Sequence, residues 1–165
     1  MGSLNSTRLF YVLVFLACIG LLVFGLYLEH GKGLEPCPLC VFQRIAYILV
    51  AFIAFVAALH DPGKLSGRIY CSLITLTALA GAGIAGRQVW LQHLPADQVP
   101  ECGPGLEYML EAFPLGQALQ MILSGSGECA EIQWQFLGLS IAEWSLACFL
   151  ILIVSSLIHV FIRKD

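Results

Sequence analysis

Glu35-Pro36-Cys37-Pro38-Leu39-Cys40-Val41-Phe42-Gln43-Arg44 runs directly into the apolar stretch that ends at Leu59, so two thiols stand where a polar turn meets a segment long enough to cross a bilayer. Val41 to Leu59 is broken only by Gln43 and Arg44, near its start. Cys40 therefore falls at the predicted N-terminus of a membrane helix, where unpaired N–H groups and the helix dipole favour a thiolate. Arg44 follows one turn later on the same face. A guanidinium there is costly unless it meets an anion or water, or snorkels to lipid phosphates. The Cys-x-x-Cys spacing alone serves a small disulfide and a metal equally well.

Composition agrees with the membrane reading. Of 165 residues, 59% are hydrophobic and 12% charged, against about one quarter charged in soluble domains. The expected fold is all-α: a four-transmembrane-helix bundle, residues 1–165 forming a single integral membrane domain with spans at about 9–28, 41–59, 69–91 and 144–162. The outer loops are expected at about 29–40 and 92–143. No small-residue cleavage site follows the first run, so it is read as a retained span. Gly2 with Ser6, and Asn5-Ser6-Thr7, match lipidation and glycosylation patterns by chance. Gly81-Ala-Gly-Ile-Ala-Gly86 spells a dinucleotide fingerprint, but no strand precedes it. Ala82 and Gly86 are expected instead to let helices approach closely.

Charge sets the expected orientation. Arg8, Lys64, Arg68, Arg163 and Lys164 flank one side, and Lys32 alone lies in the loops of the other. By the positive-inside rule both termini are cytoplasmic. Tyr27, Trp90, Trp134 and Trp144 then form an outer aromatic belt. The stretch Gln92 to Ala142 has no lysine or arginine and is long for a compact bundle, which marks it as functional. In it Leu106, Met109, Leu110 and Phe113, then Leu115, Ala118, Leu119 and Ile122, recur at helical spacing. Two short amphipathic helices are expected, lying on the membrane or packed on the rest of the loop.

Seven cysteines divide by position. Cys18, Cys71 and Cys148 lie in apolar runs and read as packing residues. Cys37, Cys40, Cys102 and Cys129 lie in the outer connections, where a bacterial periplasm permits disulfides. Proximity suggests Cys37 with Cys40 and Cys102 with Cys129, although four cysteines allow three connectivities. Three uses compete: disulfides that brace the loops, a four-thiolate metal site, and a redox relay. The second pair is not a Cys-x-x-Cys knuckle, which disfavours metal. A relay uses more of the pattern, because a glycine-flanked outer pair can meet a soluble partner while the helix-borne pair faces a lipid-soluble acceptor.

The chain resembles the disulfide bond formation protein B (DsbB) family in Pro36-Cys-x-x-Cys-x-x-x-Arg44 and in Ser126-Gly-Glu-Cys-Ala-Glu-Ile-Gln-Trp-Gln-Phe-Leu-Gly-Leu139, with Trp144 beyond it. The resemblance covers nearly the whole chain. It implies a bacterial inner-membrane dithiol:quinone oxidoreductase that reoxidises a DsbA-like thioredoxin-fold oxidase and sends the electrons to ubiquinone or menaquinone. It further implies that Cys102 and Cys129 are the periplasmic pair, with Cys102 forming the mixed disulfide, and that Cys37 and Cys40 face the quinone, with Cys40 as the thiolate at the ring. Arg44 matches the family arginine beside the quinone, and His93 sits where the family often has a histidine. The lipid bilayer is an expected partner; no nucleic acid and no metal are. Arg87 is a competing cation. A reductase variant, vitamin-K-epoxide-reductase-like chemistry and a disulfide-braced scaffold are the alternatives.

Overall fold

The computed structural model describes residues 2–95, 97–99, 108, 111–125 and 127–162. In chain order its elements are α1 (Gly2–Lys32), α2 (Pro38–His60), α3 (Lys64–Gln92), α4 (Leu115–Ser124), α5 (Gly127–Ala130), β1 (Gln135–Phe136), β2 (Leu139–Ser140) and α6 (Ile141–Ile162). Helices α1, α2, α3 and α6 are each long and apolar enough to cross a membrane, and together they form an all-α membrane bundle. Cys102, Arg163, Lys164 and most of the first expected loop helix (Leu106, Met109 and Leu110) lie outside the described residues.

Helix α3 packs most extensively on α6, α1 on α2, and α2 on α3. The seams are built of small side chains: Ala46, Ala51, Ala54, Ala57 and Ala58 on α2, and Ala78 and Ala85 on α3, are all buried. Lipid tails are as apolar as leucine, so helices in a bilayer associate through close packing, and small residues permit it. Gly81 leaves no room for a side chain in this seam, since a Cβ there would fall 2.4 Å from the Phe149 ring of α6. Of the expected positions, Ala82 is half-buried and packs against the core, whereas Gly86 would have open space around a Cβ. Phe149 in turn stacks on Tyr47 of α2, ring centroids 4.2 Å apart, and the Tyr47 hydroxyl donates to the Ser145 carbonyl at 3.1 Å. Outward-facing Phe52, Leu59, Leu76, Ile151 and Phe161 are widely exposed, an apolar surface suited to lipid.

The described part of the long loop is folded back on the bundle. Helix α4 buries Ile122 against Leu91, in a second apolar cluster that also holds Leu39, Cys37 and Cys129; Leu119 and Leu123 stay exposed. Gly125 ends α4 with φ +82°, and a Cβ there would lie 2.3 Å from Leu91 Cδ1. Beyond α5 comes an unexpected hairpin: β1 pairs antiparallel with β2 through Phe136 and Leu139. Leu137 and Gly138 have φ of 54° and 81°, the doubly positive geometry of the tight turns that match strand twist. Ser140 then starts α6 with a capping box: its Oγ accepts the Glu143 N–H at 3.3 Å, and Glu143 Oε2 accepts the Ser140 N–H at 2.7 Å.

Candidate active site

The site begins with the cap of α2. Cys37 precedes the helix in extended conformation and Pro38 is its first residue; proline is at home there because its missing N–H would have had no partner. Cys37 Sγ accepts the Cys40 backbone N–H at 3.4 Å, the role usually played by a serine or aspartate oxygen. That cap folds the two side chains together, and Cys37 Sγ stands 3.0 Å from Cys40 Sγ.

Two buried amides complete the thiol environment. Gln88 of α3 places Nε2 3.3 Å from Cys40 Sγ and 3.4 Å from Cys37 Sγ. Its Oε1 accepts from Gln43 Nε2 at 2.7 Å. Cys129 reaches the same place from α5, buried against α3, and hydrogen-bonds with Cys37. Hydrogen bonding of the Cys37 thiol with Cys129 and then with Cys40, together with burial, holds Cys37 well above the ordinary thiol range. Three sulfurs therefore converge on one point, with Cys37 in the middle.

Arg44, one turn into α2, donates through Nη1 to Glu29 Oε2 of α1 and through Nη2 to the Gly25 carbonyl at 3.3 Å. Gly25 leaves room for this: a Cβ there would already touch the guanidinium at 3.6 Å. The ion pair offsets the cost of a cation among apolar side chains. A cavity of about 320 Å³ opens beside these groups, with Cys37, Cys40, Gln88 and Arg44 on its polar wall. Phe24, Trp134, Phe136 and Trp144 supply aromatic walls. The hairpin fixes them, because Trp144 Nε1 donates to the Phe136 carbonyl at 3.0 Å and Trp134 stacks on Phe136.

The remaining candidates lie elsewhere. His93 caps the end of α3; its Nδ1 lies 2.8 Å from the Val89 carbonyl and its Nε2 3.9 Å from Glu143 Oε1. Its ring is thereby turned to the exposed side and does not line the cavity. Arg87 donates to the Ser124 carbonyl at the end of α4 at 2.9 Å and lies 4.2 Å over the Trp90 ring, away from the cavity wall. Cys18 and Cys71 are buried in the bundle, whereas Cys148 lines the deeper part of the cavity. Among the described residues no group of three or more His, Cys, Asp or Glu is arranged to hold a metal ion.

Sequence reasoning missed Gln88, Glu29 and the aromatic hairpin. A signal existed for the first: a glutamine inside an apolar span is costly without a partner. Ser140-Ile-Ala-Glu143 likewise spells a capping box.

Comparison with known proteins gives one consistent match. Residues 7–159 fit the family model described as "Disulfide bond formation protein DsbB". Among relatives named "Disulfide bond formation protein B", that of Hahella chejuensis is 56% identical over 145 residues, 88% of each chain. That of Aromatoleum aromaticum is 50% identical over 155 residues, covering 94% of this chain and 93% of the relative. The Acinetobacter baumannii protein is 53% identical over 157 residues, covering 94% and 92%.

Proposed function

The chain belongs to the disulfide bond formation protein DsbB family, and from that membership we propose that Cys37, Cys40, Cys102 and Cys129 carry its electrons to a quinone held in the cavity beside Arg44. It is a multi-pass bacterial inner-membrane protein and a protein-disulfide oxidoreductase that reoxidises a DsbA-type dithiol and passes the electrons to quinone. In our reading the acceptor is ubiquinone or menaquinone, the partner is a thioredoxin-fold oxidase, both termini are cytoplasmic, and the four cysteines are periplasmic.

The observation that carries the reading is the meeting of Cys129 with Cys37, whose neighbour Cys40 shares the cavity wall with it. A partner thiolate attacks Cys102 of a Cys102–Cys129 disulfide, and Cys129 leaves as a thiolate. The partner's second thiol closes the partner's disulfide and frees Cys102. Cys129 then attacks Cys37: the Cys129–Cys37 bond forms, the Cys37–Cys40 bond breaks, and the electron pair stays on Cys40. Cys102 attacks Cys129 in turn, restoring the outer disulfide and leaving Cys37 and Cys40 as a dithiol.

The cavity suits a quinone head in volume, in its aromatic walls and in the Arg44 guanidinium on its edge. Quinone bound there supplies a two-electron, two-proton acceptor. The chain's part is to present Cys40, to hold Arg44 where negative charge develops, and to exclude water with Phe24, Trp134 and Phe136. Oxidation of the dithiol returns the Cys37–Cys40 disulfide.

The test is anaerobic mixing of purified protein with a reduced DsbA-type dithiol and a short-chain quinone, following quinone absorbance. Stoichiometric reduction by the wild type, lost in Cys40→Ser and in Cys102→Ser, is the expected result. No reduction, with all four cysteines still paired, would replace the relay with a disulfide-braced scaffold.

A further inference from the structure

The geometry points to Gln88, held in orientation by Gln43, as the positioning residue that keeps the displaced electron pair on Cys40. The inference rests on the reading that Cys40 leaves as a thiolate when Cys129 attacks Cys37. Both amides are almost fully buried, each 4% exposed, so their donors and acceptors must be used within the protein. Gln43 Nε2 occupies Gln88 Oε1 at 2.7 Å, which turns both Nε2 hydrogens of Gln88 toward sulfur. Two hydrogens face two sulfurs, at 3.3 and 3.4 Å.

A charged acceptor gains more from such a donor than a neutral one does. The amide therefore favours whichever sulfur bears the charge. Cys40 is that sulfur for two reasons: Cys129 stands against Cys37 and leaves Cys40 as the departing atom, and Cys40 lies in the first turn of α2, where the helix dipole favours an anion. Gln88 Oε1 also lies 3.5 Å from Cys40 Sγ and accepts from the protonated thiol. One side chain thus partners Cys40 in both protonation states, and Gln43 competes for the oxygen in favour of the thiolate. A neutral amide does this without a second buried cation whose desolvation would offset the gain.

The other ionisable groups around Cys40 are Cys37 in the preceding turn, Cys129 on α5, Glu29 on α1 with Arg44 on α2, Glu35 ahead of Cys37, and Glu128 and Glu131 from the last loop; Tyr47 and Cys148 lie deeper in the cavity. Glu29 already pairs with Arg44, so the side chains that donate to the Cys40 sulfur are the Cys37 thiol when reduced and the Gln88 amide; once Cys37 is bonded to Cys129 the amide remains.

The test reads the thiolate directly. Fully reduced full-length protein, without quinone or partner, is alkylated with iodoacetamide across a pH series, and modification at Cys40 is scored by peptide mass spectrometry. The pH midpoint is compared for wild type, Gln88→Met and Gln43→Met; methionine keeps the length and removes the amide. Gln88→Met is expected to raise the midpoint by about one unit, slowing Cys40 alkylation about tenfold below it, and Gln43→Met to raise it less. An unchanged midpoint in Gln88→Met overturns the assignment. If Gln88→Met does not fold, an unchanged midpoint in Gln43→Met overturns it equally. Because the titration contains no quinone, a wild type unable to reduce quinone would sink the proposed function and leave this result standing.

Discussion

Gly125→Ala should uncouple the outer thiols from the inner ones without touching a sulfur. Gly125 ends α4 with φ +82° and ψ 151°, a region that side chains other than glycine occupy at a cost of about 1–3 kcal/mol. The added Cβ would also fall 2.3 Å from Leu91 Cδ1, and Leu91 is fully buried. Docking of this segment is anchored by Ile122, 1% exposed against Leu91, a burial that contributes about 1.5–3 kcal/mol. Strain and anchor are therefore of the same size. The docked-to-undocked ratio should fall about fivefold to 150-fold, at 1.36 kcal/mol per factor of ten, which leaves about half of the molecules docked where strain and anchor are equal. The assay compares quinone reduction driven by a DsbA-type dithiol with that driven by dithiothreitol, which is small enough to reduce Cys37–Cys40 directly. Partner-driven turnover should drop by about half or more while dithiothreitol-driven turnover is unchanged. Equal rates for the variant and the wild type with both reductants would refute the claim that the α4–α5 segment brings Cys129 to Cys37.

Arg44→Ala should keep the helix content and weaken quinone use, raising the quinone KM about tenfold or more for the loss of one charge-assisted contact; a quinone titration with unchanged KM would remove Arg44 from the site. Gly81→Val should destabilise the bundle by about 1–3 kcal/mol through overpacking, because the new side chain meets the Phe149 ring. Thermal unfolding in detergent measures this, and an unchanged Tm would mean that α3 and α6 do not touch at Gly81.

The runs that form α1, α2, α3 and α6 were legible because about twenty apolar residues with at most one charge have few other uses. The Cys37 and Cys40 turn was legible because proline and cysteine at a helix start carry a geometric meaning. The rotational phase of α3 was not. Its outward face is as apolar as its inward one, with Leu76 and Leu79 exposed and Ile74 and Ala78 buried, so nothing in the pattern chose Gly81 over Gly86. Gln43 was visible as a break in an apolar run, but its partner lies on another helix, 45 residues away. Long-range pairing of that kind leaves no local signature. The hairpin escaped for the opposite reason: two strands of two residues each are too short for alternation to show.

In the proposed relay Cys37 is both a reagent and a piece of architecture, since its sulfur closes the first turn of α2. Every exchange that rebonds this sulfur also alters the acceptor on which the Cys40 amide depends. The end of the helix thus registers the oxidation state, and amide hydrogen exchange at Cys40 becomes a reporter of the catalytic cycle. Substitutions divide accordingly. If the relay runs through it, Cys37→Ser should abolish exchange but keep an oxygen to cap the turn, whereas Cys37→Ala should also remove the cap, at about 1 kcal/mol. The difference between those two variants isolates what the sulfur does for the helix from what it does for the electrons.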